Sequence, residues 1–123
     1  MSFGINQYRS ARVETASPVG VLIQLYDGAI RFLREASTHM TEADVANKGV
    51  KLSKAHRIVT ELQATLDKEQ APELCDQLDS LYDFVLHQIT EANVKNDPSM
   101  VEPAIKVLTT LRGAWGEIGE AQP

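Results

Sequence analysis

Cysteine is almost missing from the chain. Cys75 is the only one in 123 residues, which excludes an internal disulfide and any zinc site built on several thiolates. Glycine and proline are also scarce, at 7 and 5, and no glycine-rich phosphate loop can be read among them. Positive charge is in deficit. Twelve Lys and Arg stand against seventeen Asp and Glu, for a net charge of −5 and a pI near 5.1. Such a chain repels a phosphate backbone on average, so no nucleic-acid partner is expected. No apolar run approaches the ~20 residues needed to span a bilayer, so no membrane insertion is expected either. The first twelve residues carry Asn6, Gln7, Arg9 and Arg12 without an apolar segment, unlike a secretory signal. The cytoplasm is the expected compartment.

What is present is ordinary globular material. The apolar fraction is 43% and the charged fraction 24%, at a length that makes one domain. Ser17 can cap a helix whose first residue is Pro18, where a missing N–H is harmless. Val19, Leu22, Ile23, Tyr26, Ile30, Leu33 and Met40 then recur at helical spacing to about Met40. A second helix is predicted from about Asp44 to Asp67, on Leu52, Ala55, Val59, Leu62 and Leu66, with Val45 and Ile58 alongside. Pro72 opens a third, with Leu74, Leu78, Leu81, Val85, Ile89 and Ala92 on one face. Either Asp97 or Ser99 caps a fourth, which carries Val101, Ile105, Leu108, Leu111, Trp115 and Ile118. Gly116 and Gly119 should fray its end. No segment reads as a strand. Four helices joined by short loops predict an all-α fold, an antiparallel up-down four-helix bundle. Its expected limits are 15–118, after an N-terminal arm over residues 1–14 and before a loose tail over 119–123. The arm holds Phe3, Ile5, Tyr8 and Val13.

Two helices carry more apolar surface than one core seam requires. The first adds Val21, Leu25, Gly28 and Phe32; the third adds Tyr82, Leu86 and Ile89. Surplus stripes mean either a deep core or a surface groove for an amphipathic segment. Leu25-Tyr26-Asp27 is echoed by Leu81-Tyr82-Asp83, and in an up-down bundle the two tyrosines would sit at one height. Tyr26 falls in the continuous stripe and is expected in the core. Tyr82 lies off the predicted seam and is the groove candidate. Charge runs on Lys48, Lys51, Lys54 and Arg57, and on Glu73, Asp76, Asp79 and Asp83, read as solvated faces. Asp83, His87 and Glu91 share a face, but the chain has no Glu-x-x-His, so no carboxylate-bridged metal site is expected. His39 and His56 lie on other helices. Acidic neighbours around Cys75 make it a poor nucleophile. No catalytic residue, cofactor or metal is therefore assigned. A bundle enzyme and a structural dimerisation module remain as competing readings.

Thr15-Ala16-Ser17-Pro18, Leu25 to Ile30 (Leu-Tyr-Asp-Gly-Ala-Ile), Lys54-Ala55 with Ile58 and Leu62, Leu66-Asp67-x-Glu69, Leu81-Tyr82-Asp83, Glu91-Ala92-Asn93 and Leu111-Arg112-x-Ala114-Trp115 occur in one order. Jointly they resemble the flagellin-specific export chaperone family, FliS, from about Ile5 to Trp115. Two departures sit at helix edges: Ala71-Pro72 where the family often has Gly-Gly, and Val19-Gly20 where charged residues often follow Ser-Pro. The resemblance implies a helical bundle, not an enzyme, that binds the C-terminal segment of flagellin in the cytosol. Covering that segment would prevent premature polymerisation and keep it fit for the flagellar type III secretion apparatus. It also implies that Ile5 and Tyr8 contact the export gate. Some members of the family bind the flagellar anti-sigma factor, a third partner kept open here. The surplus residues Val21, Leu25, Phe32, Tyr82, Leu86 and Ile89 are the expected flagellin-binding groove, and the arm is expected to cover part of it in the free protein.

Overall fold

A computed structural model describes residues 17–121, the last two in backbone only. Ser17 begins the first helix as expected: its hydroxyl accepts from the Gly20 amide at 3.0 Å, and Pro18 occupies the first turn. Helix α1 spans Pro18–Thr41, α2 Val45–Ala64, α3 Pro72–Lys95 and α4 Val101–Ala121. A short 3₁₀ turn, Pro98–Met100, leads into α4. No strand occurs among the described residues. α1 and α3 each pack against both α2 and α4, so the helices close in chain order into the up-down bundle the periodicity predicts.

The core is a column of side chains from all four helices. Tyr26, Leu33, Leu52, Val59, Leu62, Tyr82, Val85 and Leu108 are its large members. Alanines at 29, 36, 55, 92 and 104 are fully buried between them; small residues let neighbouring helices close up around the larger ones.

The junctions show how ends are satisfied. Asp44 starts α2, its carboxylate accepting from the Asn47 amide at 3.2 Å and from Asn47 Nδ2 at 2.7 Å. Those bonds hold the Asp44 carboxyl below its ordinary range. Of the two caps considered before α4, Asp97 serves: its carboxylate accepts from the Ser99 amide at 3.0 Å and the Ser99 hydroxyl at 2.7 Å. Pro103 then falls in the first turn of α4, where it is tolerated. α4 continues past Gly116 and Gly119 to Ala121. A Cβ on Gly119 would stand 3.3 Å from Val19 Cγ1, so the glycine there permits a close crossing of α1 and α4.

α3 is rotated from its predicted phase. Cys75, Leu78, Tyr82, Val85, Ile89 and Ala92 face inward, whereas Leu74 and Leu81 are 53% and 37% exposed. The basic run on α2 is likewise not wholly solvated. Lys48 is buried, and its ammonium donates to Asn93 O at 3.0 Å and Asn96 Oδ1 at 3.1 Å. A helix end leaves carbonyls without intrahelical donors, and Lys48 supplies one across the interface. The acidic run on α3 is also partly engaged. Gln63 Nε2 donates to Asp79 and Asp83 at 2.8 and 2.6 Å, and Lys68 pairs with Asp79 at 3.0 Å. Val45, expected beside the core stripe of α2, is 65% exposed.

Candidate functional site

The two tyrosines of the Leu-Tyr-Asp echo meet at the centre of the bundle. The Tyr26 and Tyr82 hydroxyls share a hydrogen bond, and Trp115 Nε1 on α4 donates to Tyr26 Oη at 3.2 Å. Tyr82 is 2% exposed and Tyr26 fully buried. Burial raises both phenol pKa values; the bond to Tyr26 pushes Tyr82 further up, while bonds from Tyr82 and Trp115 partly offset the rise at Tyr26. Tyr26 lies in the core as expected. Tyr82 does not line a groove, because a buried phenol needs a partner and its partner is inside. Ile89, expected both on the core face of the third helix and in the groove, is 2% exposed and belongs to the core.

The other expected groove residues remain accessible, in two places. Val21, Leu25 and Phe32 lie half-buried along the flank of α1 that meets α2. A Cβ on Gly28 of that stripe would touch Ile58 Cδ1 at 3.5 Å. Phe32 is ringed by cations: Arg31, Lys51 and Lys54 stand 5.0, 5.6 and 5.4 Å from its ring centroid, within cation–π range. Leu86, also half-buried, lies on the flank of α3 that carries Asp79 and Asp83 toward α2. The α1 stripe and Leu86 therefore face opposite flanks of α2 and do not form one continuous groove. Ile5 and Tyr8 lie outside the described residues, as does the arm.

A further apolar flank escaped sequence reasoning. Leu74, Leu81 and Phe84 are 53%, 37% and 42% exposed. Gln88, one turn beyond Phe84, donates to Met100 O at 3.1 Å, which places this flank at the α3–α4 seam. Across it, Val107 and Leu111 of α4 are partly buried and Ile118 is 42% exposed. Isolated exposed apolar residues are common, but these three lie together on one side of α3.

Among the described residues, no group of three or more His, Cys, Asp and Glu is placed to hold a metal ion. No described helix is long and apolar enough to cross a membrane. A helical bundle with apolar rows open along its seams has the geometry that can receive an amphipathic segment.

The comparisons give the family. The family model described as flagellar protein FliS matches residues 1–122. The flagellar secretion chaperone FliS of Vibrio cholerae is 35% identical over 88% of this chain and 79% of its own. That of Salmonella typhimurium is 35% identical over 94% and 89%, and that of Bacillus subtilis 32% over 88% and 80%. A crystal structure of a flagellar chaperone from bacteria superposes with a TM-score of 0.80, covering 98% of each chain at 22% identity, and so shares the fold. The chain belongs to the FliS family of flagellar secretion chaperones, which are not enzymes.

Proposed function

We propose that this protein binds the C-terminal segment of flagellin in the cytoplasm, prevents its premature polymerisation and supports its delivery to the flagellar type III secretion apparatus. Family membership supplies the export role. The observation that carries the binding reading is the set of apolar rows left open on the bundle: Val21, Leu25 and Phe32 at the α1–α2 seam, and Leu74, Leu81 and Phe84 at the α3–α4 seam. A disordered client that folds as amphipathic helices can lay its apolar faces along such rows, reading them at intervals of three and four residues. Ordering it is costly, so the complex must bury a large area, on the order of 1,000–3,000 Å². Two separated seams with Leu86 between them suit a client that wraps the bundle better than one that fills a single pocket. Tyr82 and Ile89 contribute to the core beneath rather than to the contact.

Ile5 and Tyr8 keep their proposed role at the export gate, on the three-residue spacing that resembles the family pattern. Co-purification tests the reading: flagellin retaining its C-terminal segment is captured, and flagellin lacking it is not. Equal capture of both would remove the proposal.

A further inference from the structure

A cleft of ≈ 520 Å³ opens between α1 and α4. Arg31, Arg34 and Arg112 line it with Thr109, over the buried Ile30. Arg57 apart, every arginine of the described residues is here. Two carboxylates share the cleft without balancing it. Asp27 is taken by Arg112, at 3.0 Å to Nε and 3.4 Å to Nη2. Glu35 is held by Lys51 at 3.0 Å and stands 4.0 Å from Arg31 Nε. Arg34 has no ion pair among the described residues. Arg31 and Arg34 are three residues apart on one exposed helix face, a spacing at which like charges repel. The cluster gathers positive charge in a chain whose net charge is −5.

We propose that this cleft docks an acidic peptide segment of a partner protein, its carboxylates meeting the guanidinium donors of Arg34, Arg31 and Arg112. Guanidinium forks match carboxylates in pairs of parallel hydrogen bonds. A free phosphate fits less well. Its concentrated charge would face Asp27 and Glu35, whereas single carboxylates spaced along a chain can each take one arginine. The protein's own N-terminal segment is poorly matched in charge, since residues 1–16 hold Arg9 and Arg12 against Glu14 alone. The site is separate from the flagellin reading at Arg34, Thr109 and Arg112, which touch none of the apolar rows, whereas Arg31 also stands over Phe32.

Nuclear magnetic resonance of the isotope-labelled full chain tests this, with hexaglutamate, hexaglutamine and inorganic phosphate as separate probes. Saturable shifts at the amides of Arg31, Arg34, Thr109 and Arg112 are expected with hexaglutamate only, fading as salt screens the charges. Arg34→Glu should weaken binding about tenfold or more, the scale of one charge-assisted bond. Lys54→Glu at the other seam should leave it unchanged. Circular dichroism checks that both variants keep their helix. Shifts centred on Lys51 and Lys54, equal binding of phosphate, or no saturable binding would each overturn the proposal. So would a dimer by light scattering that Arg34→Glu converts to monomer, since a second copy of the chain would then cover the cleft.

Discussion

Tyr26 receives two groups at once, the Tyr82 hydroxyl and the Trp115 indole N–H, so removing its oxygen orphans both. Tyr26→Phe should cost more than Tyr82→Phe. Each buried donor or acceptor left unsatisfied costs about 1–3 kcal/mol, so two are lost in the first variant and one in the second. Urea denaturation of the pair measures the order, and equal costs would show that the Trp115 bond contributes nothing. Alkaline pH supplies a second reading. Both phenols are raised above the ordinary 10.0. Beyond pH 10 the unfolded chain sheds the two protons while the folded chain keeps them, so the contribution of these two phenols to stability is constant below pH 10 and falls above it. Tyr82→Phe should make that fall shallower, and tyrosinate absorbance from Tyr26 and Tyr82 should rise only with unfolding. The inward place of Tyr82 was legible in the chain. The run Cys75, Leu78, Tyr82, Val85, Ile89, Ala92 keeps a regular three-four alternation, and Leu81-Tyr82-Asp83 repeats a triplet whose tyrosine was already assigned to the core. Leucines at 74 and 81 drew the phase one step round, because hydrophobicity alone ranks leucine above a tyrosine that has a partner.

Helix starts follow from local chemistry, and so they were readable: Ser17 before Pro18 and Asp97 before Pro98 cap through their own side chains. Ends depend on bonds that the hydrophobic pattern does not encode. α2 stops at Ala64 rather than near Asp67, as Thr65 turns its amide and hydroxyl back to Leu62 O at 3.2 and 2.7 Å. Between α1 and α2, Ala43 sits at φ 61°, a left-handed conformation that costs an L-residue roughly 1–2 kcal/mol. Ala43→Gly should stabilise the fold by up to about 1 kcal/mol, the relief less glycine's extra unfolded-state entropy. A lowered melting temperature would contradict this. Asn96 at φ 50° needs no such change, since asparagine is accepted at helix C-caps. Lys48 shares the inward phase of Leu52, Ala55, Val59 and Leu62, but a lysine in a core register is ordinarily read as a solvated residue. Lys48→Met keeps the stem and loses the ammonium. It should cost about 1–2 kcal/mol through the unfilled Asn93 carbonyl. Thermal unfolding against the parent chain checks it, and an unchanged midpoint would mean that water replaces the ammonium freely.

The whole bundle was legible because four amphipathic periods and three short connections leave few other ways to bury the apolar faces. Its surface was legible only in part. Val21, Leu25 and Phe32 could be identified as surplus because a full core stripe already ran beside them. Leu74 and Leu81 were assigned inward and Phe84 was not singled out, so the α3–α4 row emerges only once Tyr82 fixes the rotation of α3. That row joins the α1–α2 seam in the account of flagellin binding, and it can be changed without touching the core. The most direct measurement is calorimetric titration of the flagellin C-terminal segment into the parent chain and into the Leu81→Glu/Phe84→Glu double variant, at several temperatures. The account predicts binding at micromolar concentrations or below, with a negative heat-capacity change. It also predicts at least about tenfold weaker binding in the double variant, whose melting temperature stays close to that of the parent. No binding by the parent, or equal binding by a folded double variant, would contradict it.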